Sequence, residues 1–387
     1  MNIDKNKFPL MAKTIFGLEN VLAEELKSLN AEKIEIGNRA VFFEGDKELM
    51  YKANIYLRTA LRIIKPINKF NIRSENDLYK NIKKIKWDKY FGISDTFSID
   101  SVVHSKYFNH SKYISLKTKD AIADQFREQT GKRPNVDIDD PTIKINIHIY
   151  EDECTVSLDS SGDSLHKRGY RKNANLAPLS EVLAAGLIYL SGWDQCSTFT
   201  DAMCGSGTIL IEAGLIAANK APGILRKKFG FMKWKDYEPS LFNQLLIEAE
   251  QKIKPIDFKI TGSDINPGTV AIANENLKNA GLEKEIFIET RSFEESKPPE
   301  GEGTLIINPP YGERLKEEDI ISFYKMIGDS LKKNYSGYDA WIISSNKEAL
   351  KYLGLRTSKK LALQNGPLEV KFHKYEMYQG SKKAKYK

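Results

Sequence analysis

Asn308, Pro309, Pro310 and Tyr311 stand in a row behind a short apolar run, Thr304 to Ile307. Two prolines fix the backbone φ and remove two N–H donors, and a residue before proline is driven to an extended conformation. The Asn308 amide and the Pro309 carbonyl can therefore both face outward as acceptors, with Tyr311 offering a ring face. Two acceptors on the hydrogens of an amine conjugated to an aromatic ring help to localise its lone pair for attack on a methyl donor. Asn-Pro alone is also an ordinary turn initiator, so the meaning of the four residues depends on what precedes them.

Three further clusters precede them, each at the end of an apolar run. Asp201 leads into Cys204, Gly205, Ser206, Gly207 and Thr208, directly before a helical stretch from Ile209 to Ala218. Glycines there let a ligand approach the backbone, and the helix N-terminus favours an anionic group such as a carboxylate. Asp201 can accept from an ammonium. Asp264 ends the run from Lys259 to Ser263, where an acid can hold both hydroxyls of a ribose. Ser292 and Phe293 follow the run from Ile286 to Glu289 and can supply a hydroxyl and a ring beside an adenine. In an open α/β sheet, ligands bind outside the carboxyl ends of the strands. A dinucleotide fingerprint is excluded because Leu210 occupies the third glycine position, and a phosphate-binding P-loop because no Gly-Lys-Ser/Thr follows.

The elements needed to present these residues are legible around them. From about Ser180 onward strand and helix patterns alternate, as in a parallel sheet with crossover helices. Asn266 with Pro267 behind it and Gly281 beyond predicts a capped helix. A fifth strand is expected at Ala340 to Ser345, and a terminal β-hairpin around Asn365-Gly366. The earlier half mixes helical and strand patterns. Strict alternation from Ile143 to Ile149 predicts a half-buried strand, with Cys154 to Asp159 as its hairpin partner. Ser160 to Ser164 reads as a linker. The expected domains are residues 1–55, 56–160 and 161–387.

The chain has 387 residues and a formal net charge of +7. Eleven Lys/Arg stand against three acids between Tyr51 and Lys89, including Lys80, Lys83, Lys84 and Lys86. A second basic run, Lys220 to Lys235, holds Arg226, Lys227 and Lys228 with Phe229, Phe231 and Trp234 interleaved. Basic residues beside aromatics suit a nucleic acid; a solvated lysine face is the alternative. No apolar stretch is long enough for a membrane span, the N-terminus lacks the layout of a secretory signal, and three cysteines are too few and scattered for a disulfide framework or a zinc site. A cytoplasmic location follows as the default, with no obligate protein partner evident.

With those residues in place, the sequence resembles the S-adenosylmethionine-dependent methyltransferases that act on amines. More narrowly, it resembles the bacterial THUMP-containing 23S rRNA guanine-N2 methyltransferases. The resemblance is carried by Ser161 to Arg171 at the junction, by Asp201 to Ile209 with Glu212-Ala213, and by Asn308 to Leu315, and covers the chain from about Ser160 on. It implies a Rossmann-like α/β methyltransferase domain behind an α+β ferredoxin-like unit and a THUMP RNA-binding domain. It implies methyl transfer from S-adenosylmethionine, without a metal, to the N2 amine of a guanine in 23S rRNA (the guanine-2445 type) or its assembly intermediate. Asn308, Pro309, Pro310 and Tyr311 would be catalytic. Asp201, Cys204 to Thr208, Asp264, Ile265, Ser292, Phe293 and Asn308 would bind the donor. Arg168, Arg171, Arg226, Lys227 and Lys228, with the earlier lysines, would bind RNA. Ser292 departs from the acid often found at its position, and the chain ends without the second methyltransferase domain of larger relatives, so a single modification is expected. A tRNA guanine-N2 methyltransferase, a DNA adenine-N6 or protein-glutamine methyltransferase, and a ribosome-assembly protein with vestigial catalysis are the rival readings.

Overall fold

Alternating apolar residues bring the first half of the chain into one eight-stranded sheet. The computed structural model describes residues 7–171, 179–310 and 317–378, with the side chains of 317 and 318 left aside. The strands are β1 (Phe8–Lys13), β2 (Glu32–Gly37), β3 (Ala40–Gly45), β4 (Arg62–Asn71), β5 (Thr96–His104), β6 (Asn135–Val136), β7 (Ile143–Tyr150) and β8 (Glu153–Asp159). They lie in the order β2-β3-β1-β4-β8-β7-β5-β6. Ile143, Ile145, Ile147 and Ile149 enter the core while Lys144, Asn146 and His148 take the other face, as a period of two requires. The helices are α1 (Glu19–Ser28), α2 (Lys47–Tyr56), α3 (Glu75–Lys84) and α4 (Ser111–Thr130). The expected β7–β8 hairpin is present.

The segment Ser160 to Ser164 is a packed junction rather than a loose linker. Ser160 and Ser161 are wholly buried. Asn54 Nδ2 donates to Ser160 Oγ at 2.9 Å, and Ser161 Oγ donates to Asn54 Oδ1 at 2.7 Å. Two small hydroxyl side chains match one buried amide, so the amide's oxygen and nitrogen both have partners.

The second half is a doubly wound sheet. Its elements are α5 (Glu181–Ser191), β9 (Thr198–Asp201), α6 (Thr208–Ala217), α7 (Pro239–Gln251), β10 (Ile260–Asp264), α8 (Pro267–Ala280), β11 (Ile286–Thr290), β12 (Gly303–Ile307), α9 (Glu317–Asn334), β13 (Tyr338–Ser344), β14 (Lys359–Asn365) and β15 (Leu368–Glu376). The order is β11-β10-β9-β12-β13-β15-β14. The first five are parallel, and the hairpin β14–β15 adds antiparallel to β13. The order reverses between β9 and β12, the switch point where a crevice opens. Helix α6 is buried all round, as its largely apolar sequence demands, with Glu212 the one buried acid. Helix α8 starts as expected: Asn266 accepts from Gly268 N and Thr269 N, Pro267 is first, and Gly281 closes it at φ 63°.

Candidate donor and acceptor site

Parallel register puts the marked residues on one edge of the sheet. Asp201 lies opposite Gly262, two residues before Asp264, and Thr200 lies opposite Leu305, three residues before Asn308. Asp264 lies opposite Thr290, two residues before Ser292. Strand ends therefore gather Asp201, the glycine loop, Asp264, Ser292 and Asn308 around the switch point.

The loop is held from several sides. Cys204 N donates to Ser263 O at 3.0 Å and Gly207 N to Cys204 O at 2.9 Å. Gly205 N donates to Asp264 Oδ2 at 2.9 Å, Asn276 Nδ2 donates to Ser206 O at 3.0 Å, and Arg171 Nη2 donates to Thr208 Oγ1 at 2.6 Å. Gly205 has φ +53° and a Cβ there would meet open space, whereas a Cβ on Gly207, at φ +80°, would come within 3.3 Å of Ala273. The loop backbone is therefore open to a neighbour on the side of Gly205. Ile265, 74% exposed beside Asp264, offers an apolar side chain at the rim.

Asp201 is buried, accepts Met203 N at 3.2 Å, and is pushed up to about 8 by burial and by the Asp264 carboxylate, against the pull of that N–H. An ammonium placed beside it would restore the charge and gain strongly from doing so. Burial, with Asp201 and Asp264 nearby, holds the Cys204 thiol well above its ordinary value, so it is no nucleophile. Asn308 Oδ1 is buried and has no hydrogen-bond partner among the described residues. A buried acceptor left open is costly in the resting protein and is met where a ligand supplies the donor. Tyr311 lies outside the described residues, as do Gly312 to Leu315.

Several expected contacts are corrected. Phe293 is buried and stacks on Tyr335 at 5.5 Å, so its ring belongs to the core. Ser292 Oγ donates to Glu295 Oε2 at 3.1 Å, which places an exposed acid three residues beyond the position where the sequence lacked one. Arg168 is buried against Glu212 at 3.4 Å and donates to the carbonyls of Leu165 and Arg58. Arg171 pairs with Glu181 at 3.0 Å, and Arg226 donates to the carbonyls of Ser164 and Lys167 at 3.0 and 2.6 Å. These three arginines hold the junction and the loop instead of facing RNA. Phe229, Phe231 and Trp234 are buried, with Phe231 stacked on Tyr51 at 4.3 Å, so those three rings of the second basic run are not free to stack on bases. Lys227 and Lys228 stay exposed, the latter 3.5 Å from Asp140. In the first run Lys80, Lys84 and Lys86 are exposed, while Lys83 pairs with Glu128.

Sequence reasoning missed Asn276, fully buried in α8 among Ala273, Leu277 and Ala280. A lone amide on an apolar helical face was the available signal. Among the described residues, no group of His, Cys, Asp and Glu could hold a metal ion, and no helix is long and apolar enough to cross a membrane.

Comparison with known proteins adds three family matches. Residues 168–374 match the RMKL-like methyltransferase domain, residues 73–159 the THUMP domain, and residues 9–64 the RlmL ferredoxin-like domain. The chain is 39% identical over 372 residues to slr0064 of Synechocystis, a protein whose name proposes an RNA methyltransferase, covering 96% of this chain and 97% of that one. It is 36% identical over 374 residues to the ribosomal RNA large subunit methyltransferase K/L of Syntrophotalea carbinolica, covering 93% of this chain and about half, 52%, of that longer protein. Among solved structures, SMU.472, proposed to be a methyltransferase and complexed with S-adenosylhomocysteine, superposes with a TM-score of 0.86 at 29% identity, covering 97% of this chain and 100% of that one.

Proposed function

The chain belongs to the RMKL-like methyltransferases that carry a THUMP domain and use S-adenosylmethionine, and from that premise we propose that it methylates the exocyclic N2 amine of a guanine in RNA, with 23S rRNA or its assembly intermediate as substrate. The observation that carries the reading is the buried Oδ1 of Asn308, which has no hydrogen-bond partner among the described residues, on the same sheet edge as the glycine loop.

The donor, when bound, supplies a methyl group activated by a sulfonium. Asp201 would accept its ammonium, the open backbone at Gly205 would lie against it, and Asp264 would take the ribose hydroxyls. The target base must leave its stack to reach this edge. Asn308 Oδ1 accepts one hydrogen of the amine and the Pro309 carbonyl the other, with Pro310 fixing the turn and Tyr311 stacking on the base. These contacts would hold the amine with its lone pair toward the donor's methyl group, and the proton it sheds would go to water. Alignment of nucleophile and methyl supplies much of the rate. Lys80, Lys84, Lys86 and Lys227 are exposed cations that would meet phosphates. The reading puts the enzyme in the cytoplasm with its RNA.

Modification mapping of 23S rRNA and tRNA from a deletion strain tests it. One N2-methylguanine should vanish from 23S rRNA and return with the wild-type gene but not with Asn308→Ala. Loss from tRNA instead would transfer the assignment to tRNA, and full complementation by Asn308→Ala would refute the amine clamp.

A further inference from the structure

Lys13 is the residue the proposed chemistry leaves unexplained. It ends β1 and lines a cavity of about 410 Å³ at the eight-stranded sheet, with Arg62, Asp100, Lys144, Asn146 and Asp159. The cavity joins the first strand of the chain to β4, β5, β7 and β8, and reaches Ser164 at the junction with the methyltransferase half. Three cations and two carboxylates line it. Both carboxylates are engaged: Asp159 pairs with Arg62 and accepts Ser161 N at 2.9 Å, and Asp100 lies 2.8 Å from Lys144. Among the described residues, the Lys13 ammonium meets a neutral acceptor, Asn146 Oδ1, at 3.2 Å and no carboxylate. Burial lowers its pKa, partly offset by Asp159 and Asp100. A half-buried ammonium without a carboxylate contact is costly in a free protein, and one uncompensated positive charge in a walled cavity matches one phosphodiester.

We propose that this cavity seats a backbone phosphate of the RNA substrate on Lys13, between the N-terminal strand and the THUMP strands. The inference rests on the RNA reading above. Arg62 and Lys144 reinforce the field while remaining tied to their own acids. Asn146 holds the ammonium in place until the phosphate arrives. Base identity plays no part here, so the seat contributes affinity and register, not sequence choice.

The test uses the full-length protein and a transcript of 23S rRNA, with affinity measured across a salt series. Lys13→Met should weaken binding roughly tenfold and reduce the log–log salt slope by about 0.7 to 0.9, the contribution of one phosphate contact. Asn146→Asp is nearly isosteric and neutralises Lys13 in place, so it should give the same loss even if Lys13→Met folds poorly. Lys13→Arg should stay close to wild type. Donor affinity should be unchanged in all three. Unchanged affinity and slope in Lys13→Met and Asn146→Asp, while the wild type methylates RNA, overturns the seat alone. A slope reduced by both variants, while the wild type binds RNA but leaves its guanines unmethylated, supports the seat and refutes the proposed function. If inorganic phosphate stabilises the wild type through Lys13 but the RNA slope does not move, the site takes free phosphate and the RNA assignment fails.

Discussion

Asp264 accepts the Gly205 N–H at 2.9 Å through one oxygen and the Asn266 N–H at 2.9 Å through the other. One carboxylate thus ties the loop after β9 to the cap of α8. The acid proposed to bind the ribose and the loop proposed to face the donor are a single mechanical unit.

Replacing Asp264 by Ala should therefore do more than remove a ribose contact. Two backbone N–H groups lose their acceptor, each worth about 1 kcal/mol, and the loop loses its tether. Calorimetric titration with S-adenosylhomocysteine should show affinity lowered at least about tenfold, as loss of more than about 1.4 kcal/mol requires. Unaltered affinity would mean that Asp264 only caps the helix.

The two loop glycines should respond differently. Gly205→Ala meets no neighbour, and its φ of +53° costs about 1 kcal/mol. Its methyl would enter the space proposed for the donor, so donor binding should fall far more than the melting temperature. Gly207→Ala is strained at φ +80° and crowded by Ala273, so it should lose stability first. Thermal melts paired with donor titrations separate the two outcomes.

What was legible in the sequence was local. The strand ends, the Asn266-Pro267 cap and the hairpin at Asn365-Gly366 each depend on residues a few positions apart, and all three stand in the structure. The protein partners of Arg168 and Arg226 were not legible because they are distant in the chain. Glu212 lies 44 residues from Arg168, and the Ser164 carbonyl lies 62 from Arg226. A charge count cannot tell a cation facing phosphate from one facing a carbonyl. The same holds for Phe231, whose burial depends on Tyr51 in the other half. Asn308 was legible because proline restricts its backbone locally; that its buried Oδ1 meets no partner among the described residues required the fold.

The buried pair Arg168–Glu212 makes a third prediction. Both side chains are at most 1% exposed, and Tyr170 also donates to Glu212 at 3.2 Å. Glu212→Ala should destabilise by about 3 to 5 kcal/mol, because it strands a buried guanidinium. Removing both charges with well-packed Arg168→Met and Glu212→Leu should recover much of that loss. Chemical denaturation of the single and double variants checks it; a double-variant loss equal to the sum of the two single losses would show that the pair is not coupled.

The lysine run offers a fourth. Lys80, Lys84 and Lys86 are exposed, whereas Lys83 is tied to Glu128 and lies over Tyr79. Changing the first three to Gln should reduce the RNA salt slope by up to about 0.9 for each phosphate that a lysine had neutralised, while Lys83→Gln should change it least. A uniform response would show that this run acts only as diffuse charge.

Asp201 makes the last prediction, through pH. Its folded pKa is about 8, raised mainly by burial from an ordinary value of 3.8. Between those values the folded protein holds a proton that the unfolded chain has released. Stability from this residue is therefore present at low pH and is lost as pH rises toward 8, by about 1.4 kcal/mol per unit within the window. Asp201→Asn keeps an oxygen for the Met203 N–H but removes that titration. The variant should gain stability relative to wild type between pH 5 and pH 8, with no further gain above the folded pKa. It should bind the donor more weakly, because a neutral amide cannot answer an ammonium with a charge. Denaturant melts at pH 5, 6.5 and 8 test the first part, and donor titrations test the second. A stability difference independent of pH would mean that the carboxylate is already ionised in the resting protein.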